Sequence, residues 1–86
     1  MDIIPKEISD RASRLNVKDI RDALRRNGYA DEAQSIKKAT YLELNESEHF
    51  VYEIEFWEDG RTQTGKVFIE IKQEKPRTNY TYFADY

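Results

Sequence analysis

The clearest pattern in the chain is a regular alternation of side chains that begins at Phe50. One set of alternate positions is entirely apolar and consists of Phe50, Tyr52, Ile54 and Phe56. The other set contains two glutamates and consists of Val51, Glu53, Glu55 and Trp57. A period of two places one set on each face of a β-strand, so the segment predicts a strand with one buried face. Asp59-Gly60 follows and is typical of a two-residue hairpin turn.

This turn sets the pairing with the next strand. The predicted partners are Phe50 and Ile69, Tyr52 and Val67, Ile54 and Gly65, Glu53 and Lys66, and His49 and Glu70. All the large apolar groups then share one face. A shift of one residue would bring the apolar set of one strand opposite the acidic set of the other, so the pattern specifies the register.

Two further strands are predicted beside this hairpin. A turn over residues 73–78, where Pro76 stops the preceding strand, leads to a last strand through Tyr80, Tyr82 and Ala84. The predicted partners are Ile71 and Tyr80, Ile69 and Tyr82, and Phe68 and Phe83. A shorter strand over residues 41–45 has two possible registers. A five-residue loop puts Leu42 and Leu44 on the core face and a four-residue loop puts them on the other; we favour the core face.

Before residue 41 the apolar positions follow a period of 3.6, which predicts helices. A weak first helix over residues 5–15 begins at Pro5. Asn16, with Asp19 three residues later, predicts the N-cap of a second helix that ends at Gly28. Asp31 predicts the cap of a third helical segment. The apolar positions of that segment are Ala33, Ile36 and Ala39.

Together these elements predict an α+β fold, with two or three N-terminal helices packed on one face of a three- to four-stranded antiparallel β-meander. The 86 residues suit a single domain, with a helical part at 1–40 and a sheet part at 41–86. Leu, Ile, Val and Phe supply 19 residues. This share is just above the roughly 20% below which chains stay disordered, so the chain is expected to fold around a small core.

Composition limits the compartment and the chemistry. Charged residues make up 36% of the chain, and no apolar run approaches the roughly 18 residues that cross a membrane, which predicts a soluble protein with no membrane partner. The absence of cysteine excludes disulfides, thiolate nucleophiles and cysteine–zinc sites. The start, Met1 to Glu7, has neither a basic region nor a long apolar one, so we expect no secretory signal and a cytoplasmic location.

Candidate catalytic and metal-binding groups are few. His49 is the one histidine, and a zinc site would need it together with Glu46 and Glu48 from the same turn. Glu53 and Glu55 point to one strand face about 7 Å apart beside a lysine, which is typical of a solvated sheet face rather than an acid–base pair. The three glycines are too scattered for a phosphate-binding loop. We therefore expect no catalytic residues, no metal site, no cofactor and no enzymatic activity.

A basic stripe follows the second helix. Its members are Arg14, Lys18, Arg21 and Arg25, with Arg11 and Arg26 beside them. This spacing is suited to tracking a phosphate backbone. However, Glu7, Asp10 and Asp22 each lie four residues before an arginine, a spacing that stabilises helices and neutralises part of the stripe. Nucleic-acid binding is therefore the alternative function, carried by Arg14, Lys18, Arg21, Arg25 and Arg26.

The sheet face opposite the core is more apolar than contact with water requires. The hairpin register groups Val51, Phe68 and Phe83 there, with Trp57 at one end and Tyr86 near the terminus. Its polar rim consists of Glu53, Glu55, Glu70 and Lys66. Two interpretations follow: either a helix or an N-terminal arm containing Ile3 and Ile4 covers this face, or the face is a protein–protein contact.

Charge gives the second interpretation a direction. Residues 41–86 carry ten acidic and five basic side chains, within a chain of net charge −3. The sequence thus favours a non-enzymatic binding protein whose acidic, aromatic sheet face contacts a basic protein partner. Small inhibitors, immunity proteins and anti-defence proteins of phages or bacteria have this profile, an analogy of class alone. A ribonuclease toxin fits less well because its substrate favours a basic chain. The oligomeric state is left open.

Overall fold

A computed structural model describes residues 4–74 and 79–85. Three short helices precede and flank the start of a four-stranded antiparallel sheet with strand order β1-β2-β3-β4. The helices are α1 (Lys6–Ala12), α2 (Val17–Arg26) and α3 (Ala30–Gln34), and the strands are β1 (Ile36–Leu44), β2 (Phe50–Glu58), β3 (Arg61–Glu74) and β4 (Asn79–Asp85). The predicted α+β class with an antiparallel sheet is confirmed.

The central hairpin has the predicted register. Phe50 lies opposite Ile69, Tyr52 opposite Val67, Ile54 opposite Gly65, and Glu53 opposite Lys66. Asp59 and Gly60 both have positive φ angles, 51° and 75°, as a turn between right-twisted strands requires. Alternation and turn chemistry therefore agree on one pairing.

The predicted register between β3 and β4 is wrong by two residues. The observed partners are Phe68 and Asp85, Ile69 and Ala84, Glu70 and Phe83, and Ile71 and Tyr82. A shift of two keeps every side chain on its predicted face, so the apolar pattern does not distinguish the two registers. β3 also continues through Glu74 instead of turning at Gln73, and Pro76 lies outside the described residues.

The third helix is shorter than predicted, and the sheet begins earlier. α3 ends at Gln34, and Ile36 and Ala39 belong to β1, opposite Phe56 and Ile54. The boundary at residue 40 was therefore wrong. The strand covers the outer edge of β2, which a helix through Ala39 would have left without backbone partners.

The connection from β1 to β2 is the five-residue loop, because Leu44 pairs with Phe50. The expected burial of the two leucines is nevertheless wrong, since Leu42 is 43% exposed and Leu44 51% exposed. A β-bulge between Tyr41 and Glu43 leaves Leu42 outside the ladder and brings Tyr41 opposite Tyr52.

The helix caps explain where the helices start and stop. α1 is shorter than the predicted segment and ends at Ala12. At the start of α2, Asn16 and Asp19 form a reciprocal capping box, as their spacing predicted. Gly28 has a φ of 89°, a conformation that glycine adopts without steric cost, and it lets the chain turn into α3.

One hydrophobic cluster joins the helices to one set of sheet positions. Its fully buried large side chains are Ile20, Leu24, Ile36, Tyr52, Ile54, Val67 and Ile69. The Tyr52 hydroxyl lies inside this cluster, where it accepts a hydrogen bond from the Leu15 amide at 2.9 Å and donates one to the Ala12 carbonyl. This phenol therefore ties the α1–α2 connection to the sheet.

Candidate functional site

The strand registers place one row of side chains across the whole sheet, on the face opposite the hydrophobic cluster. Glu43 of β1, Val51 of β2, Phe68 of β3 and Asp85 of β4 are successive neighbours in this row. Phe83 lies two residues before Asp85 and therefore points to the same side. We call the face that carries Val51, Glu53, Phe68, Glu70 and Phe83 the open face.

The aromatic side chains of the open face are only partly covered. Phe68 and Phe83 are half-buried and lie outside the main hydrophobic cluster, whereas Val51 is only 5% exposed. Trp57, at the end of the same face, is 49% exposed. Ile4 is itself 37% exposed, and Ile3 and Tyr86 lie outside the described residues.

Two lysines contact the aromatic rings of the open face. The Lys72 ammonium lies 4.8 Å from the centre of the Phe83 ring and 4.0 Å from a Glu70 carboxylate oxygen. The Lys37 ammonium lies 4.4 Å from the centre of the Trp57 ring. Both are cation–π distances, so these two rings already contact cations within the chain.

Acidic and basic side chains alternate across the rest of this face. Glu53 lies opposite Lys66 on β3, as predicted, and Glu55 lies opposite Lys38 on β1. Carboxylates from Glu43 and Asp85 lie at the two ends of the Val51 row. The predicted rim residues therefore lie on the same face of the sheet, and the rim contains more lysines than the sequence predicted.

A shallow cavity of about 340 Å³ opens beside the two phenylalanines. Its lining includes Phe68, Glu70, Lys72 and Phe83, together with His49. His49 and Glu70 thus line the same cavity, although the observed ladder starts at Phe50 and does not include their predicted pairing. The part of the chain that the structure describes contains no group of three or more metal-ligating side chains.

The arginines of the basic stripe make hydrogen bonds within the chain. Arg14 donates to the Asp10 carbonyl at 3.2 Å, and Arg25 to the Asp22 carboxylate at 3.0 Å. Two others reach the sheet, where Arg21 donates to the Ile36 carbonyl and Arg26 to the Tyr82 carbonyl. Lys18 is exposed at the start of α2. The expected pairing of Asp22 with Arg26 is replaced by its pairing with Arg25.

Two phenols, one buried and one partly buried, join the sheet to the helices through hydrogen bonds that the sequence pattern did not predict. Burial raises the pKa of Tyr52 above its ordinary value near 10, and the pKa of Tyr82 shifts in the same direction for the same reason. The Tyr82 hydroxyl donates to the Ile8 carbonyl at 3.1 Å. These residues act structurally, since they hold α1 and its connection against the sheet.

Comparison with protein-family models, with curated proteins and with solved structures finds no match to the chain. None of the helices in residues 4–74 and 79–85 has the length and apolar composition needed to span a bilayer.

Proposed function

We propose that this protein is a non-enzymatic binding protein that contacts a basic surface of another protein through its open face. One observation carries the proposal. Phe68 and Phe83 are only partly buried beside the buried Val51, and they lie outside the cluster that holds the fold together. Aromatic side chains in such a position contribute little to folding but supply the anchors that dominate many protein interfaces.

The sign of the partner's charge follows from what surrounds these rings. Lys72 already lies over Phe83 and near Glu70, and Lys37 lies over Trp57. A partner's arginine or lysine would displace these lysines and take the same kind of position, because the ring face and the carboxylate both attract a cation. The net charge of −3 also favours approach by a basic surface.

A small acidic domain of this kind acts by covering its target. We include the protein in the class of inhibitors, immunity proteins and anti-defence proteins of phages or bacteria, acting in the cytoplasm without catalysis. Its open face would mask a basic surface that the target needs for its own contacts. Electrostatic attraction supports rapid association, and the central aromatic anchors support slow dissociation.

A pull-down from host lysate, with the partner identified by mass spectrometry, tests this proposal. The wild-type chain is compared with Phe68→Ala and Phe83→Ala, and with Ile4→Ala, which removes an exposed apolar group before α1. We expect the anchor variants to weaken binding about 30-fold or more, equivalent to at least about 2 kcal/mol, and Ile4→Ala to bind normally. Retention of the same partner by all four proteins would refute the proposal.

A gel shift separates this function from the nucleic-acid alternative. The hydrogen bonds of Arg21 and Arg26 to sheet carbonyls count against that alternative, since they fix two of its five cations. We expect no shift with duplex or single-stranded nucleic acid. A tight complex that weakens steeply between about 50 and 200 mM salt, and that Lys18→Glu abolishes, would instead favour nucleic-acid binding.

A further inference from the structure

The two edges of the sheet are protected to different extents. An edge strand presents unpaired N–H and C=O groups that can bind another strand. At the β4 edge, Arg26 donates to the carbonyl of Tyr82, in the middle of the strand, at 3.1 Å, and Tyr29 contacts the end of the strand by donating to the side-chain carboxylate of Asp85 at 2.6 Å. At the β1 edge, Arg21 reaches only the first carbonyl, that of Ile36. Within the part of the chain that the structure describes, residues 37–44 have β2 on one side and no strand on the other.

The unprotected edge is also the most apolar exposed segment in the described chain. Five large apolar side chains among the described residues are at least 36% exposed, and three of them, Tyr41, Leu42 and Leu44, lie in β1. An apolar edge strand is a typical site of strand–strand association. We therefore expect a binding partner of complementary shape and charge to cover the β1 edge.

The charges of β1 point to a second copy of the same strand. β1 has Lys37 and Lys38 directly after its first residue and Glu43 near its end. When two such strands pair antiparallel, Lys38 of each can lie beside Glu43 of the other, so the attraction occurs twice. The tyrosine and leucines of both strands are brought into the same contact. A strand with lysine at one end and glutamate at the other is thus complementary to itself.

The bulges of β1 limit how far this pairing extends. The ladder to β2 is irregular between Ile36 and Lys38 and between Tyr41 and Glu43. Only the four residues from Lys38 to Tyr41 are regularly paired between these points. Bulges restrict edge pairing, and a short regular segment favours a closed pair about a two-fold axis over open-ended sheet growth.

We propose that two copies of this chain associate through antiparallel pairing of their β1 strands. The two-fold axis then passes perpendicular to the sheet and joins the two sheets into one of eight strands. Because this axis keeps corresponding faces on the same side, both open faces lie side by side and the helices lie opposite them. The dimer presents two copies of the proposed partner-binding site in one plane, which increases avidity for a repeated or dimeric target.

Analytical ultracentrifugation of charge variants tests the dimer. We expect the wild-type chain to sediment as a dimer, and Lys38→Glu or Glu43→Lys to raise its dissociation constant about tenfold or more, since like charges then meet twice. The double variant, Lys38→Glu with Glu43→Lys, should restore the dimer. Leu44→Lys, at a half-exposed position, should also favour the monomer while leaving the circular dichroism spectrum unchanged.

Phe68→Ala is the matched control, because it alters the open face and leaves β1 intact. It should sediment as a dimer. A wild-type chain that stays monomeric up to millimolar concentration would overturn the proposal, as would a double variant that stays monomeric. If Phe68→Ala dissociates the dimer, the dimer contact lies on the open face and not at β1, and the proposal is overturned as well. None of these results depends on whether the open face binds a basic protein.

Discussion

Replacing Tyr52 by phenylalanine removes one oxygen atom from the place where the α1–α2 connection meets the sheet. The Tyr52 side chain is 1% exposed, and its hydroxyl accepts from the Leu15 amide at 2.9 Å while donating to the Ala12 carbonyl. Leu15 and Ala12 are themselves buried. The substitution therefore leaves one donor and one acceptor without their partner in a site that excludes water.

The cost follows from these two groups. A buried polar group that loses its partner costs about 1–3 kcal/mol, so the two together predict a loss of about 2–6 kcal/mol. The whole free energy of unfolding for a chain of this length is about 4–13 kcal/mol. Since each kcal/mol shifts Tm by about 4–8 °C in small domains, we expect Tm to fall by about 10 °C or more.

Urea and thermal unfolding followed by circular dichroism measure this loss, with Tyr82→Phe as the matched control. The Tyr82 hydroxyl has one partner, the Ile8 carbonyl at 3.1 Å, and a partly exposed position, so its removal should cost about 1 kcal/mol. If Tyr52→Phe destabilises the protein no more than Tyr82→Phe, the structural role assigned to the Tyr52 hydroxyl is wrong.

Three further predictions test the core, the helix cap and the response to pH. Ile54 is fully buried, so Ile54→Asp should lower the free energy of unfolding by about 4 kcal/mol or more. Glu55→Ala, on the opposite face, should change it by no more than about 0.5 kcal/mol. Comparable losses for the two variants in urea unfolding would mean that the two sheet faces are assigned the wrong way round. Asn16→Ala removes one half of the capping box and should lower the free energy of unfolding by about 1 kcal/mol. Urea unfolding measures this loss, and an unchanged midpoint would contradict the prediction. Burial raises the pKa of Tyr52 and Tyr82 in the folded protein, so their contribution to stability is complete below the unfolded tyrosine pKa near 10 and is lost as pH rises towards the folded pKa values. The midpoint of urea unfolding should therefore fall above about pH 10, and it should fall less steeply with pH in Tyr52→Phe. Equal pH dependence of the midpoint in the wild type and Tyr52→Phe would contradict this prediction.

The central hairpin was predictable because two independent signals specify the same pairing. The alternation that starts at Phe50 assigns the faces, and Asp59-Gly60 fixes the loop. The β3–β4 register lacked the second signal, since a shift of two residues preserves the faces. Tertiary contacts distinguish the two registers. In the observed register, the Tyr82 hydroxyl donates to the Ile8 carbonyl and the Tyr29 hydroxyl donates to the Asp85 carboxylate.

The start of the sheet was mispredicted because Ile36 and Ala39 are three residues apart, a spacing that fits one face of a helix. Pairing with β2 decided in favour of a strand. This error also hid Lys37, which reaches Trp57 only because it lies in a strand.

The candidate site was largely predictable, because face assignment in the hairpin puts Val51, Glu53, Phe68 and Glu70 together. Lys72 has the same parity as Phe68 and Glu70 and was accessible to the same reasoning. The exposure of Leu42 and Leu44 was not predictable in this way. It depends on a β-bulge, and the alternation of apolar and polar residues does not indicate where a bulge lies.

The proposed function requires that the open face is uncovered, and a comparison of two neighbouring residues on β3 tests this requirement. Val67 is fully buried in the hydrophobic cluster, and Phe68 is half-buried on the open face. We expect Val67→Ala to lower the free energy of unfolding by about 2 kcal/mol or more, and Phe68→Ala to lower it by about 1 kcal/mol while reducing partner binding. A loss of about 3–5 kcal/mol for Phe68→Ala, the cost of emptying a core phenylalanine site, would show that the face is covered and would contradict the proposed function.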